Sequence, residues 1–305
     1  MNRAELFVEH RPTMLAAAYR VTGSRHDAED VVQEAWLSWS KIDPTTVREP
    51  RSFLAVMVSR LALNAVRSRQ RRREEYIGPW LPEPVVDDGD PQWAVLHEEG
   101  LGQALDFVLS TLTPEQATAF VLRKLLDVDY ADIAEALGSS PGAARQHVSR
   151  ALRAVTDALG DALPDQADRD GRALAALAQA VTTGDVARVA ELLAHDAVLY
   201  SDGGGKAHAA LRPVVGPDKI ARFLLGIAAG PRVTMAPARI NGSAGVVFLE
   251  AGIVSTAATL RASEIGIVGL YFVRNPDKLE SITLATGTPN DEVRQYGTST
   301  TLEEL

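Results

Sequence analysis

Two stretches break the helical patterning of this 305-residue chain and set how it can be divided. Glu74 to Gln92, EEYIGPWLPEPVVDDGDPQ, holds four prolines, two glycines and clustered acids. Gly160 to Gly171, GDALPDQADRDG, has the same character. Proline removes a backbone donor, and glycine and acids favour solvated turns, so both stretches read as linkers. The expected organisation is a helical piece at 1–73, a linker at 74–92, a second helical piece at 93–159, a linker at 160–170, a mixed piece at 171–290 and a polar tail at 291–305. At roughly 100–200 residues per domain, the length agrees with two or three domains.

The first piece reads as all helix. Ser24 caps a helix in which Ala28, Val31, Val32, Ala35, Trp36 and Trp39 follow 3.6-residue spacing. Asp27, Asp30 and Glu34 fall opposite as an acidic stripe. A second helix spans about 52–73, with Leu54, Met57, Val58, Leu61 and Ala65 on its apolar face and Arg60, Asn64 and Arg67 on the other. Trp36, Trp39 and Phe53 read as core.

The second piece is clearly punctuated. Thr113-Pro114-Glu115-Gln116 is a helix start. Tyr130, Ile133, Ala134 and Leu137 stripe a short helix that Gly138 ends, and Ser140-Pro141 restarts the chain. Ala144, Val148, Ala151, Leu152 and Val155 line the next helix. Helix, glycine turn, helix over Val128–Val155 is a helix-turn-helix pattern, with an ordinary helical hairpin as its alternative. The polar face favours the first. It carries Arg145, Gln146, His147, Ser149, Arg150 and Arg153, with no acid from Pro141 to Ala154. Short donors and arginine forks are what base edges and phosphates require.

The third piece changes period. Helical patterns at 172–183, 185–194 and 217–229 are followed by strand-like runs at 233–240, 245–251, 253–261, 265–273 and 279–286. That order means α+β: a curved antiparallel sheet with helices on its concave side, enclosing a small pocket. DGGGK, Asp202 to Lys206, lacks the Walker spacing, since Ala207 follows the lysine. His195, Asp196 and Asp202 read as a surface turn in preference to an acid/base set.

The formal charge is −9, which alone argues against a nucleic-acid binder. It is unevenly spread. Residues 1–86 hold 13 basic and 11 acidic side chains, whereas residues 87–160 hold 5 and 12. Arg60 to Arg73 contains six arginines and no acid, and reads either as a solvated arm or as a phosphate-tracking surface. The absence of cysteine excludes thiol nucleophiles, disulfides and cysteine-zinc sites. No apolar run is long enough to cross a membrane, no signal peptide opens the chain, and no metal-ligand spacing is present, so a cytoplasmic protein without cofactor is expected.

Three segments together resemble the extracytoplasmic-function (ECF) group of bacterial RNA polymerase sigma factors. Asp27-Ala28-Glu29-Asp30-Val31-Val32-Gln33-Glu34-Ala35-Trp36 is similar to their region 2 helix. Arg51-Ser52-Phe53-Leu54 through Leu63-Asn64-Ala65 is similar to the part that melts the −10 element. Tyr130-Ala131-Asp132-Ile133-Ala134 with Val148-Ser149-Arg150-Ala151 is similar to region 4. The last piece resembles a SnoaL-like cone domain, which one ECF subgroup carries. Its marks are Trp80-Leu81-Pro82-Glu83-Pro84, DGGGK and Asn275-Pro276-Asp277-Lys278-Leu279. His147 departs from the basic residue many ECF factors have there.

The resemblance implies two all-α sigma domains, a region 2 bundle and a region 4 helix-turn-helix, plus an α+β SnoaL-like domain. It implies a promoter-recognition subunit and no enzyme. Asp27, Asp30, Gln33, Glu34 and Trp36 would face core RNA polymerase, at its β′ clamp, with the β flap as a further contact. Arg51, Arg60, Asn64 and Arg67 would meet −10 DNA, with Asn64 near a flipped base. Arg145, Gln146, His147, Ser149, Arg150 and Arg153 would meet −35 DNA. Trp80, Leu81, Pro82, Asp202, Lys206, Asn275, Pro276, Asp277, Lys278 and Leu279 would join linker and third domain, making a separate anti-sigma protein dispensable and a small-molecule ligand of that domain a candidate. An extended 19-residue linker reaches roughly 60 Å, similar to about 17 base pairs at roughly 3.4 Å each. The alternatives are a one-component helix-turn-helix regulator and a cone domain with isomerase or cyclase activity.

Overall fold

The computed structural model describes residues 2–74, 76–98, 102–159, 166–228 and 233–282. Its contacts group the chain into two units. One comprises Met1–Glu75, Gly89–Glu99 and Leu105–Asp161; the other comprises Tyr76–Asp88, Gly100–Ala104 and Ala162–Leu305.

The first unit is helical. α1 (Arg3–Thr22), α2 (Arg25–Trp39) and α3 (Pro50–Glu74) pack on one another as a bundle. Local chemistry sets their ends. Asn2 and Glu5 form a capping box, Gly23 ends α1 in the left-handed region at φ +70°, and Ser24 caps α2 through the Asp27 amide. Tyr19, Trp39, Met14, Leu15 and Leu54 are fully buried, and each such side chain contributes about 1.5–3 kcal/mol. The Trp39 indole donates to the Arg3 carbonyl at 3.0 Å, so its one polar atom is satisfied. Trp36 is only half-buried and Phe53 is exposed.

α4 (Ala94–Glu98), α5 (Gly102–Thr111), α6 (Pro114–Phe120), α7 (Tyr130–Leu137) and α8 (Pro141–Leu159) follow. Thr113 and Gln116 form the expected capping box. A π-helical turn, Val121–Leu125, extends α6. Trp93, expected at the start of the second piece, packs edge-on against Tyr19 of α1 and beneath the Arg25 guanidinium.

α3 is buried over a wider arc than the five apolar residues read from its sequence. Leu54, Val58 and Ala62 are buried, and so are Ala55 and Leu63. Those last two share a cluster with Ala119 and Leu122, with Ile133, Ala134 and Leu137 of α7, and with Ala144 and Val148 of α8. The first and second helical pieces therefore have a common core.

The second unit is α+β. α9 (Gln166–Thr182), α10 (Val186–Leu192) and α11 (Pro217–Ala228) accompany six strands: β1 (Leu193–Asp202), β2 (Val214–Val215), β3 (Val233–Ile240), β4 (Ser243–Glu250), β5 (Ile253–Ser263) and β6 (Gly266–Val273). The sheet order is β2-β1-β6-β5-β4-β3. Four of the expected strands form, and the Asn241-Gly242 turn, with both residues at positive φ, closes the β3–β4 hairpin.

Three expectations are corrected. The sheet is mixed, because β1 runs parallel to β6. Residues 193–202 form a strand, so His195 and Asp196 stand exposed on β1 while Asp202 is wholly buried at its end; these three do not make a surface turn. The start of the run expected as a strand at 279–286 is not one. Pro276–Lys278 is a single 3-10 turn, Leu279 is buried after it, and residues 283–286 lie outside the described residues.

α9, α10 and α11 cover one sheet face through Leu177, Val189, Ile220, Leu224, Leu199, Leu260, Leu270 and Phe272. Side chains alternate along strands, so Tyr200, Thr259 and Tyr271 face away from that cluster. The Tyr200 and Tyr271 rings stack at 5.9 Å between neighbouring strands. Where the β5–β6 register shifts after Arg261, the Ala262 amide donates to Asp170 of α9 at 2.7 Å.

Candidate nucleic-acid interface and linker anchor

α8 presents an open polar face. Gly138, at φ +62°, ends α7, and the Ser139 amide returns to the Ala134 carbonyl. Ser140 then caps α8, its hydroxyl accepting from the Ala143 amide at 3.2 Å. Ala144, Val148 and Ala151 are buried, which turns Arg145, Gln146, Ser149, Arg150 and Arg153 outward, all exposed. His147 is half-buried, and its Nδ1 is buried without a hydrogen-bond partner. Leu152, expected in the apolar stripe, is 39% exposed. This is a helix-turn-helix whose second helix carries no acid between Pro141 and Ala154.

On α2, Asp30, Gln33 and Glu34 are exposed beside Leu37, which is 58% exposed. Asp27 is set apart from them and is buried. Trp36 packs edge-on against Phe7 at 5.0 Å. The outward surface therefore combines carboxylates with an apolar side chain.

On α3, Arg51, Arg60, Asn64 and Arg67 are exposed. Arg60, Asn64 and Arg67 follow i, i+4, i+7 spacing and share a face. Arg67 is engaged: its Nε and Nη2 donate to Glu115 of α6 at 3.0 and 2.7 Å. That guanidinium holds the Glu115 carboxyl below its ordinary range, against a partial burial that pushes it up. The side chains of Arg69 to Arg73 lie outside the described residues.

In the second unit the three motifs converge on Asp202. Its carboxylate accepts from the Tyr76 hydroxyl at 2.6 Å, from the Leu81 amide at 2.8 Å and from Lys278 Nζ at 2.8 Å. Its carbonyl accepts from the Arg274 and Asn275 amides. Lys278 also donates to the Leu81 carbonyl and lies 4.0 Å from the centre of the Trp80 ring. Asn275 donates from Nδ2 to the Tyr76 oxygen at 2.8 Å. Burial first, and Asp202 second, push the Tyr76 hydroxyl far above its usual range, so it stays a donor.

The glycines of DGGGK serve this packing. Gly204 and Gly205 sit at φ +57° and +71°; a Cβ on the first would collide with Asn275 and Tyr76, and one on the second with Ile77. Lys206 and Asp277 form an exposed ion pair nearby, and Pro276 is exposed beside it.

Further along, the Pro82 carbonyl accepts from Gln103, which also receives the Thr259 hydroxyl. The Val85 amide donates to the Asn241 side-chain oxygen at 2.8 Å, the Asn241 amide returns to the Val85 carbonyl, and the Asp87 amide donates to the Arg239 carbonyl. Leu81 to Val86 are all buried. Most of the segment that composition marks as a solvated linker is thus built into the α+β unit. Tyr76, Gln103 and Asn241 were missed by sequence reasoning; only Asn241 carried a signal, as half of an Asn-Gly turn between two strand runs.

A buried carboxylate of raised pKa would favour a catalytic cone. Asp170 is such a group, pushed up by burial. Its Oδ1, however, accepts from the Ala262 amide and from Gln166, both at 2.7 Å, so it serves the bulge in β5. Among the described residues no cluster of three or more metal-binding side chains occurs, and no helix is long and apolar enough to cross a membrane.

The Sigma-70 region 2 family matches residues 6–72, and the Sigma-70, region 4 family matches residues 102–155. The ECF RNA polymerase sigma factor SigJ of Mycobacterium tuberculosis is 41% identical over 94% of this chain and 95% of its own length. The crystal structure of SigJ from that organism superposes with a TM-score of 0.72 at 36% identity, covering 92% of this chain and 98% of that one. A probable ECF sigma factor, SigI of the same species, is 31% identical over 48% of this chain and 52% of its own.

Proposed function

Because this chain belongs to the ECF RNA polymerase sigma factors, which bind core polymerase and promoter DNA to begin transcription, we propose that its C-terminal unit governs that activity by gripping the segment 76–88. The observation that carries the proposal is Asp202. A wholly buried carboxylate is costly unless every lone pair is matched, and two of its three side-chain partners, Tyr76 and Leu81, come from the linker.

The surfaces divide by role. Asp30, Gln33 and Glu34 with Leu37 meet the β′ clamp of core polymerase, and the β flap engages region 4. Asp27 supports that surface from beneath. Arg150, Arg153, Gln146, Ser149 and Arg145 read the −35 element, and Arg51, Arg60 and Asn64 meet −10 DNA. A flipped base costs a few kcal/mol and needs hydrogen bonds in return, which an exposed Asn64 amide supplies. Elements about 17 base pairs apart are separated by roughly 58 Å, whereas α3 and α7 share one core. Engaging both at once requires that core to part, the Arg67–Glu115 pair to break and the tether to be free.

Holding 76–88 against the cone therefore withholds the reach that promoter binding needs. The grip lies within the chain, so the reading requires neither a separate anti-sigma protein nor a ligand. In vitro transcription with purified core polymerase and a promoter library tests it. A chain ending after Thr286 keeps Asn275–Leu279 and should behave as full length; one ending before Asn275 loses Lys278 and should differ in output. Identical transcription from all three would defeat the proposal.

A further inference from the structure

Tyr130 opens α7, and its ring is shared by two guanidinium groups. Arg123 Cζ lies 5.2 Å from the ring centre and Arg145 Cζ 5.1 Å. Arg123 comes from the π-helical turn, donates to the Val128 carbonyl at 3.1 Å and pairs with Asp127 at 2.9 Å. Asp127 itself sits at φ +52°. Arg123 thus closes the bend between α6 and α7, and in doing so steadies the ring. Arg145 belongs to α8, on the exposed face with Gln146, Ser149 and Arg150.

A free arginine carries rotamer entropy, part of which is lost when it grips a phosphate or a base. A guanidinium laid on an aromatic ring loses some of that freedom beforehand, while its in-plane N–H donors stay available. Ordering a side chain before its partner arrives moves that cost out of the binding step.

We propose that Tyr130 is a positioning residue for DNA reading: it holds Arg145 in its DNA-gripping orientation before the promoter arrives. The inference rests on the assignment of α8 to the −35 element. Exposed cation–π contacts set the scale at about two- to five-fold in affinity.

Holoenzyme made from the full-length chain and core polymerase, titrated with a fluorescent promoter duplex chosen from the library, gives affinity and its salt slope. Tyr130→Phe keeps the ring and should bind within about twofold of the parent. Tyr130→Leu keeps apolar bulk without the ring and should bind about two- to five-fold more weakly at an unchanged slope. Arg145→Ala should lose more and lower the slope by about 1. In the Arg145→Ala background, Tyr130→Leu should add nothing. Additive losses, or equal losses from Phe and Leu, would overturn the proposal. If Tyr130→Leu unfolds the helix pair, Arg145→Lys carries the test: charge and slope should persist while affinity falls, and undiminished affinity would overturn it. No loss from Arg145→Ala would overturn the α8 assignment itself, an outcome distinct from a failure of positioning alone.

Discussion

Helix α8 and the Asp202 cluster both concentrate charge, and the chain treats them oppositely. α8 leaves five cationic and polar side chains exposed, backed by alanines and a valine. Asp202 is taken out of water entirely and answered by a hydroxyl, an amide and an ammonium. An exposed arginine keeps its hydration, so leaving it without a protein partner costs the fold little. A buried carboxylate without partners costs several kcal/mol. The first arrangement leaves its donors to water; the second is satisfied by a stretch of the same chain.

That contrast can be broken by substitution, most severely at Asp202. Asp202→Ala strands Lys278, Tyr76 and the Leu81 amide, and removing one partner of a buried pair typically costs about 3–5 kcal/mol. Urea unfolding of the full-length chain should show a loss of this order in the α+β transition; a shift under about 1 kcal/mol would show that the cluster is not a structural hub.

Arg150→Ala should do the reverse. Promoter affinity should fall by about 1–3 kcal/mol if it reads a base, or the salt slope by about 1 if it meets a phosphate, with the unfolding midpoint unmoved. A change in stability without a change in binding would reverse the roles of the two regions. Asn64→Ala, on an equally open face, should slow promoter opening, followed by permanganate reactivity, more than it weakens the closed complex. A fall in duplex −35 affinity instead would misplace it.

The smallest effect belongs to the Arg67–Glu115 pair, which lies between the two extremes. Glu115→Gln should cost at most about 1 kcal/mol. Because Arg67 depresses the carboxyl in the folded state, its contribution is complete above the unfolded pKa, near 4.5, and is lost as pH falls through the lower folded value. Melts of the parent and variant should therefore converge on acidification below pH 4.5, and curves that stay parallel would remove the pair from the account.

What could be read in advance follows the same division. Gly138, Ser140-Pro141 and Thr113 act on backbone within a few residues, so α6, α7 and α8 were legible from local rules. The exposed residues of α8 were legible because exposure is the complement of an apolar stripe. Asp27 was assigned to the wrong side of α2, since one helical position separates an acidic stripe from the buried arc. β1 was missed because its partner β6 lies some 70 residues away and its polar His195-Asp196 interrupts the alternation. At the linker, composition marked Leu81 to Val86 only as a connecting segment, because their receptor is more than 100 residues downstream, whereas the family resemblance joined Trp80, Leu81 and Pro82 to the third domain. Composition registers the prolines of such a segment and carries no trace of what will cover them.

That separation along the chain also has a meaning in time. Tyr76 and Leu81 are synthesised early, whereas Asp202, Asn275 and Lys278 come much later. At translation speeds of roughly 5–20 residues per second, about 10–40 s pass between the end of the segment and the arrival of its last anchor. When α1 to α8 have been made, Asp202, Asn241 and Lys278, which hold parts of residues 76–88, have yet to follow. Each newly made molecule therefore begins with residues 76–88 without these partners and gains the last of them only once Lys278 has been made.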